Sequence, residues 1–176
     1  VTDVNETPSA VALSASSMAE NAAGATIGTL SATDPDSGET FTYALSGTDK
    51  DSFELSGTTL KLKDTVSANY ETKSSYAVTL TATDSGSNSK AQDFTISVTD
   101  VNETPSAVAL SASSMAENAA GATIGTLSAT DPDSGETFTY ALFGTDKDSF
   151  EISGTTLKLK DTVSADYETD TSYSIT

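Results

Sequence analysis

The feature that most constrains this chain is an internal repeat. The segment Val1–Pro8 recurs as Val98–Pro105, a shift of 97 residues in a chain of 176. Of the 79 positions that overlap under this shift, only seven differ. Since about 100 residues is the length of one small domain, the repeat predicts a duplicated domain within an array. A fold proposed for the chain must therefore close on itself within 97 residues.

The repeat sets the predicted domain boundaries. Repeat 1 spans residues 1–97, with residues 1–8 as an incoming linker, and repeat 2 spans residues 98–176, with residues 98–105 as its linker. The chain opens in the middle of the linker pattern, as expected for a piece of a longer array. Repeat 2 has no counterpart of Leu80–Ser97, so we expect it to be C-terminally incomplete, with an open core and unpaired strand edges.

Apolar residues alternate with polar ones throughout each repeat, which predicts half-buried strands. The alternating sets are Phe41, Tyr43 and Leu45; Leu60 and Leu62; Tyr76, Val78, Leu80 and Ala82; and Phe94, Ile96 and Val98. Further runs at residues 11–13 and 25–32 bring the count to about seven strands, separated by Asp, Ser, Gly and Asn turns. We predict an all-β, immunoglobulin-like Greek-key sandwich in each repeat. Residues 18–23 are predicted to form a single helical turn at most.

Most aromatic residues fall at predicted inward positions and are interpreted as core, rather than as a stacking platform for sugars or bases. They are Phe41, Tyr43, Phe53, Tyr70, Tyr76 and Phe94. Phe143 differs, because it replaces Ser46 of the first repeat just past the inward Leu142. We expect Phe143 to face outward, where it could serve as a contact point.

Composition excludes several functions. The chain carries 26 acidic residues against 8 basic ones, all of them Lys, and its net charge is -18. Nucleic acids and anionic membranes would repel such a chain, and no apolar run is long enough for membrane insertion. The absence of Cys and His removes thiol, imidazole and sulfur- or nitrogen-ligand metal chemistry. Oxygen ligands for a hard cation such as Ca²⁺ remain.

The acidic residues concentrate in predicted loops and strand ends, in the segments Glu20–Asn21, Asp34–Asp36, Asn69–Glu71, Thr83–Asp84 and Asp100–Glu103. In a Greek-key sandwich such loops gather at the two ends of the domain, so the carboxylates should cluster there. Clustered carboxylates repel one another unless a divalent cation lies among them. No cleft for a pair of catalytic carboxylates is apparent, so we expect no enzyme activity.

Four of these segments together resemble the cadherin repeat, and more particularly the cadherin-like repeats of bacterial RTX-type surface adhesins. Residues Met18–Asn21 look like the family's Pro-Glu-Asn motif, and Ala32–Asp36 like its Asp-x-Asp loop. Asn69–Glu71 is similar to the Asp-Arg-Glu motif, and Asp100–Pro105 to the Asp-x-Asn-Asp-Asn linker. The resemblance covers the whole chain, with the family's order and spacing.

The resemblance implies a calcium site at the junction between repeats. Its implied ligands are Glu20, Asn69, Glu71, Asp100, Val101, Asn102, Glu103, Thr104, Asp131 and Asp133. Implied half-sites at the outer ends are Asn5, Glu6, Asp34, Asp36, Asp84, Glu117, Asp166 and Glu168. Asn69 replaces a family Asp and Glu103 replaces the linker Asp, so we expect two firmly held ions and a weaker third.

The expected function is structural. Ca²⁺ would stiffen the junctions of an extracellular, cell-surface adhesin, in which these repeats form a stalk and neighbouring repeats of the same chain are the partners. The alternative is a direct binding module for like repeats on another cell or for a polysaccharide. Near-identity of the repeats favours the stalk, because a specific binding site needs only one copy.

Overall fold

The computed structural model describes residues 4–176, so residues 1–3 of the predicted incoming linker lie outside the described residues. The chain divides into two compact units, unit 1 (Val1–Val101) and unit 2 (Asn102–Thr176). The regular elements are β-strands and two short 3₁₀ helices, at Lys50–Ser52 and Lys147–Ser149. The predicted all-β class is confirmed. Over residues 4–176 the structure has no helix long and apolar enough to cross a bilayer.

Unit 1 is a sandwich of two four-stranded sheets. Its strands are β1 (Ala10–Leu13), β2 (Ser17–Ala19), β3 (Thr26–Thr33), β4 (Thr42–Ser46), β5 (Phe53–Ser56), β6 (Thr59–Leu62), β7 (Ser75–Thr83) and β8 (Ser89–Thr99). One sheet has the order β1-β3-β6-β5 and the other the order β2-β8-β7-β4. All neighbours are antiparallel except β2 and β8, which run parallel.

The core of unit 1 follows from the alternation along its strands. In β7, Tyr76, Val78, Leu80 and Ala82 are buried, and the residues between them are not. They pack within a cluster of fourteen buried residues that the structure describes in this unit. At its centre, Phe53 and Tyr76 meet edge to face with their ring centroids 5.5 Å apart. Apolar burial on both inner faces therefore joins the two sheets.

Two local predictions are wrong. Residues 18 and 19 begin the segment 18–23, for which a single helical turn at most was predicted, but they lie in β2, because Met18 pairs in parallel with Val98 of β8 and buries its side chain. Tyr70, predicted as core, is 38% exposed because it follows the loop that carries Ala68 inward. Phe143 is 63% exposed, and its predicted outward position is confirmed.

Unit 2 repeats the first sheet of unit 1. Its strands are β9 (Ala107–Leu110), β10 (Thr123–Thr130), β11 (Phe150–Ser153) and β12 (Thr156–Leu159), in the order β11-β12-β10-β9. Phe150 and Tyr173 repeat the edge-to-face contact at 5.5 Å. Phe143 and Thr176 exchange two backbone hydrogen bonds, of 2.7 and 2.9 Å, where unit 1 has the β4–β7 pair.

The face that β8 covers in unit 1 is open in unit 2. Val108 is 66% exposed, whereas its counterpart Val11 is 7% exposed. A groove of about 880 Å³ runs along this face. Its lining includes the apolar side chains of Leu110, Met115, Ile124, Phe150, Leu157 and Tyr173. The predicted open core of the second repeat is therefore present.

One of the seven differences between the repeats removes an ion pair. In unit 1, Lys73 pairs with Asp49 and lies 4.6 Å from the centre of the Tyr76 ring. The hydrogen bond from Lys73 holds the pKa of the Asp49 carboxyl below its usual range. In unit 2 the counterpart of Lys73 is Asp170, which cannot form this ion pair, and Asp146 keeps the hydrogen bond that it accepts from the Ser174 N–H at 2.6 Å. The charge pattern is therefore not fully duplicated.

Candidate metal centre

Glu20 organises the end of unit 1 at which β8 leaves. Its side chain follows β2 directly and is buried, with the residue only 3% exposed. One carboxylate oxygen accepts the Tyr70 N–H at 2.9 Å, and the other accepts the Val101 N–H at 2.9 Å. Two charge-assisted hydrogen bonds therefore fix the carboxylate and tie the outgoing backbone to the sandwich.

Two further carboxylates lie beside Glu20. Glu71 follows the loop after Ala68, and Asp100 follows the last residue of β8. One carboxylate oxygen from each of Glu20, Glu71 and Asp100 lies within 4.8 Å of the others. Because Ca²⁺ binds oxygen at about 2.3–2.6 Å, one ion can contact three oxygens at that spacing. We call Glu20, Asn69, Glu71, Asp100 and Val101 the unit 1 exit cluster.

Asn69 plays a local part in this cluster. Its side-chain oxygen accepts the Thr72 N–H at 2.8 Å, which closes the turn that carries Glu71. The residue brings no negative charge to the site. The equivalent Asp166 of unit 2 brings a carboxylate, which accepts the N–H two residues later, of Glu168, at 3.0 Å.

The opposite end of unit 1 holds the unit 1 entry cluster, formed by Asn5, Glu6, Asp34, Asp36 and Asp84. The Asp36 carboxylate accepts the Glu6 N–H at 2.8 Å, and Asp34 accepts the Asp36 N–H at 3.0 Å. Asp84 is buried and accepts from the Asn5 side-chain amide at 3.1 Å. The second oxygen of Asp34, Oδ2, is buried and has no hydrogen-bond partner.

The unpartnered oxygen of Asp34 indicates whether the residues at this end of unit 1 fit a calcium ion. A buried carboxylate oxygen without a donor is costly, and a cation is the partner that would satisfy it. The donor set around it consists of carboxylate and amide oxygens, which are the ligands that Ca²⁺ prefers. The residues of the entry cluster therefore fit a calcium ion.

Sequence reasoning missed three residues beside the entry cluster. The Asn88 side-chain amide donates to the backbone oxygens of Asn5 and Glu6, at 3.1 Å each. Glu39 accepts the Ser85 N–H and hydroxyl at 3.1 and 2.7 Å. Ser85 and Asn88 belong to a segment interpreted only as a turn, and nothing local in the sequence pairs Asn88 with residues more than 80 positions away.

Unit 2 repeats the entry arrangement at its own start. Its entry cluster comprises Asn102, Glu103, Thr104, Asp131 and Asp133. The Asp133 carboxylate accepts the Glu103 N–H at 2.7 Å, and Asp131 accepts the Asp133 N–H at 3.0 Å. The Asn102 side-chain amide donates to the Glu103 backbone oxygen at 2.8 Å. The side-chain oxygen of Asn102 and both aspartates thus remain available as ligands.

The unit 2 exit cluster consists of Glu117, Asp166 and Glu168, whose carboxylate oxygens also lie within 4.8 Å of one another. All three are exposed, unlike Glu20. Glu117 accepts the Tyr167 N–H at 3.2 Å, the counterpart of the Glu20–Tyr70 bond. The hydroxyl of Thr169, which donates at 2.9 Å, holds the pKa of Asp166 below its usual range. This exit cluster therefore resembles that of unit 1 but is more open to water.

Comparison with known proteins identifies the fold. Residues 14–99 match the family model of the cadherin domain. Human protocadherin-24 EC1-2 superposes with a TM-score of 0.71 at 21% identity, covering 95% of this chain and 82% of that one. Mouse cadherin-23 EC22-24 gives 0.61 at 24% identity, covering 88% and 54%. Protocadherin gamma B2 domains 3–6 give 0.67 at 22% identity, covering 94% and 42%.

These similarities show the cadherin-like fold, and the chain spans about half or less of the two longer fragments. A search of curated proteins finds no significant match.

Proposed function

We propose that these cadherin-like repeats form a calcium-stiffened part of an extracellular adhesion protein. The observation that carries the proposal is the unit 1 exit cluster, where Glu20, Glu71 and Asp100 bring carboxylate oxygens within 4.8 Å of one another. Burial of Glu20 holds one of these charges out of water, and a divalent cation would offset its repulsion with the others. The fold of the structural neighbours supports this function and gives no reason to expect catalysis.

The proposed ions would join consecutive repeats. Glu20, Glu71 and Asp100 would supply ligands from unit 1, and the unit 2 entry cluster would supply Asn102, Glu103 and both aspartates. The backbone oxygens of Val101 and Thr104 complete the proposed set. Support comes from each unit separately, because each holds its own carboxylates in place with backbone N–H donors. When bound, Ca²⁺ would supply the attraction that orders the linker.

Calcium affinity sets where the junction would be stiff. Extracellular modules bind Ca²⁺ with dissociation constants of about 10⁻⁴–10⁻³ M, so millimolar Ca²⁺ fills them and cytosolic Ca²⁺ does not. At about ten times its dissociation constant, each such site adds about 1.4 kcal/mol to stability. The repeats would therefore be flexible before export and stiff at the cell surface.

We expect Ca²⁺ to raise the thermal unfolding midpoint steeply, and the double variant Glu71→Ala, Asp133→Ala to lose most of that rise. The variant removes two proposed ligands, one from each unit. Unfolding is followed by circular dichroism in chelator and across a calcium titration. The control is Asp51→Ala, Asp148→Ala, which removes two exposed carboxylates outside the clusters and so changes the net charge equally. An equal calcium response in both variants contradicts the proposal.

A direct binding role is the second candidate, favoured by Phe143. This ring is 63% exposed in unit 2, where unit 1 has a serine. Exposed aromatic residues are common anchors of protein contacts. If unit 2 binds like repeats or a polysaccharide through this residue, the wild-type chain should aggregate coated beads or bind glycans. The Phe143→Ser variant should do neither. Its thermal midpoint should stay unchanged, because the ring is exposed. Binding that survives the substitution removes this candidate.

A further inference from the structure

The turn between β7 and β8 is hydrogen-bonded to the incoming linker of unit 1. This turn runs from Asp84 to Asn88, and the linker residues that it contacts are Asn5 and Glu6. Asn88 has two side-chain N–H groups, and the amide reaches the backbone oxygens of both linker residues at 3.1 Å. The two segments are more than 80 residues apart in the sequence, so these bonds tie the start of the unit to its last hairpin.

The turn itself is held by bonds that do not involve the Asn88 side chain. The Asn88 N–H donates to Asp84 Oδ1 at 2.8 Å, and the Asp84 N–H donates to the Asn88 backbone oxygen at 3.0 Å. Ser87 takes the left-handed conformation between them, with φ of 75°. Because both bonds use backbone groups of Asn88, a change of its side chain leaves the turn intact.

Gly86 makes room for the linker. A Cβ atom at this position would overlap the side-chain amide group of Asn5. With no Cβ there, the Asn5 amide reaches Asp84 Oδ2 at 3.1 Å. The Glu6 N–H meanwhile donates to Asp36 Oδ2 at 2.8 Å. The linker is thus held on one side by Asn88 and Asp84, and on the other by Asp36.

We infer that Asn88 is a positioning residue, which fixes the backbone of Asn5 and Glu6 against unit 1 without calcium. Its two donors face two carbonyl oxygens, a pairing that a carboxylate or a methyl group cannot reproduce. The backbone oxygens of Asn5 and Glu6, which accept from Asn88, therefore point toward unit 1. The side-chain oxygen of Asn5 stays available to a cation. This role is independent of the proposed function, since the contacts need no metal.

The test is backbone ¹⁵N relaxation of the whole chain in chelator. In the wild type, Asn5 and Glu6 should have order parameters near those of rigid backbone, about 0.85. In Asn88→Ala and Asn88→Asp they should fall below about 0.6, the range of flexible segments, while β1 is unchanged. The aspartate variant should behave like the alanine variant, because its oxygens face the two carbonyl oxygens without a proton to donate.

The matched control is Gln92→Ala, which removes a side-chain amide from β8 that donates to the neighbouring Asp93 oxygen. It should leave Asn5 and Glu6 rigid. Gly86→Ala should push the Asn5 side chain from Asp84 and raise the mobility of Asn5 more than that of Glu6. A purely structural role of Asn88 would lower the melting midpoint of Asn88→Ala and leave both order parameters at the wild-type value, and that result would overturn the inference.

One measurement needs no variant. The side-chain amide protons of Asn88 should exchange with water more slowly in the wild type than those of Gln92, because both Asn88 bonds link distant segments. Equal exchange at the two side chains would also overturn the inference.

Discussion

Glu20→Gln is expected to lower the unfolding free energy of unit 1 by about 2–3 kcal/mol in chelator and to remove most of its calcium-dependent stabilisation. The buried carboxylate accepts the N–H groups of Tyr70 and Val101, one on each oxygen. A glutamine keeps one acceptor and turns an NH₂ group toward the other N–H, which leaves two donors face to face. Breaking a buried hydrogen bond to a charged group costs about 1.5–3 kcal/mol.

The repeat supplies the control for this prediction. Glu117→Gln makes the same change in unit 2, where the side chain is exposed and accepts one N–H, from Tyr167. Its cost in chelator should be below about 1 kcal/mol, because water replaces the lost bond. Chemical denaturation of both variants, with and without Ca²⁺, makes the comparison. Equal losses in the two variants would mean that the burial of Glu20 does not matter.

Phe53→Ala should cost unit 1 about 3–5 kcal/mol, the usual range for a large aromatic residue in a packed core. Phe53 is almost fully buried and meets Tyr76 edge to face. Phe53 lies between the two sheets, and the sheets would not collapse into the cavity that the alanine leaves. Since a domain has only about 5–15 kcal/mol of stability, this one change should remove a large part of it.

The measurement is urea denaturation, followed by the amide NMR signals of β7 for unit 1 and of β10 for unit 2. Phe150→Ala is the matched variant in unit 2, with the same ring contact to Tyr173. Its cost should be smaller, because the open groove beside Phe150 lets water and neighbouring side chains enter the void. A loss under about 1 kcal/mol for Phe53→Ala would show that the fourteen-residue cluster is not the stabilising core.

The strands that sequence reasoning predicted best are those whose alternation is long and whose partner is close in the sequence. β7 is an example, since four of its apolar residues alternate and β8 follows after a short turn. The strand at Ser17–Ala19 escaped prediction because it is three residues long and pairs with Ser97–Thr99, 80 positions later. Three residues are too few to show the alternation of a strand. A parallel partner is also not joined to them by a hairpin turn that could have marked the strand in the sequence.

At the candidate site, too, the sequence predicted some features and not others. Glu20, Glu71 and Asp100 could be named from short motifs, and the structure brings their carboxylates together. Burial of Glu20 could not be predicted, because it depends on the backbone of Tyr70 and Val101 closing over the carboxylate. Asn88 was missed because its role depends on where the fold places the linker. Residue type indicates possible ligands, and long-range backbone contacts decide how each one is held.

The parallel strand pair and the Asn88 contacts have a mechanical consequence for unit 1. The linker enters beside Asn88, directly before β8, and the chain leaves beyond Thr99, at the other end of the same strand. Tension between the two ends of the unit would therefore pass along the 11 residues of β8, a length of about 37 Å. Because β8 is hydrogen-bonded to β7 on one side and to β2 on the other, that load would shear many bonds at once instead of peeling them one by one.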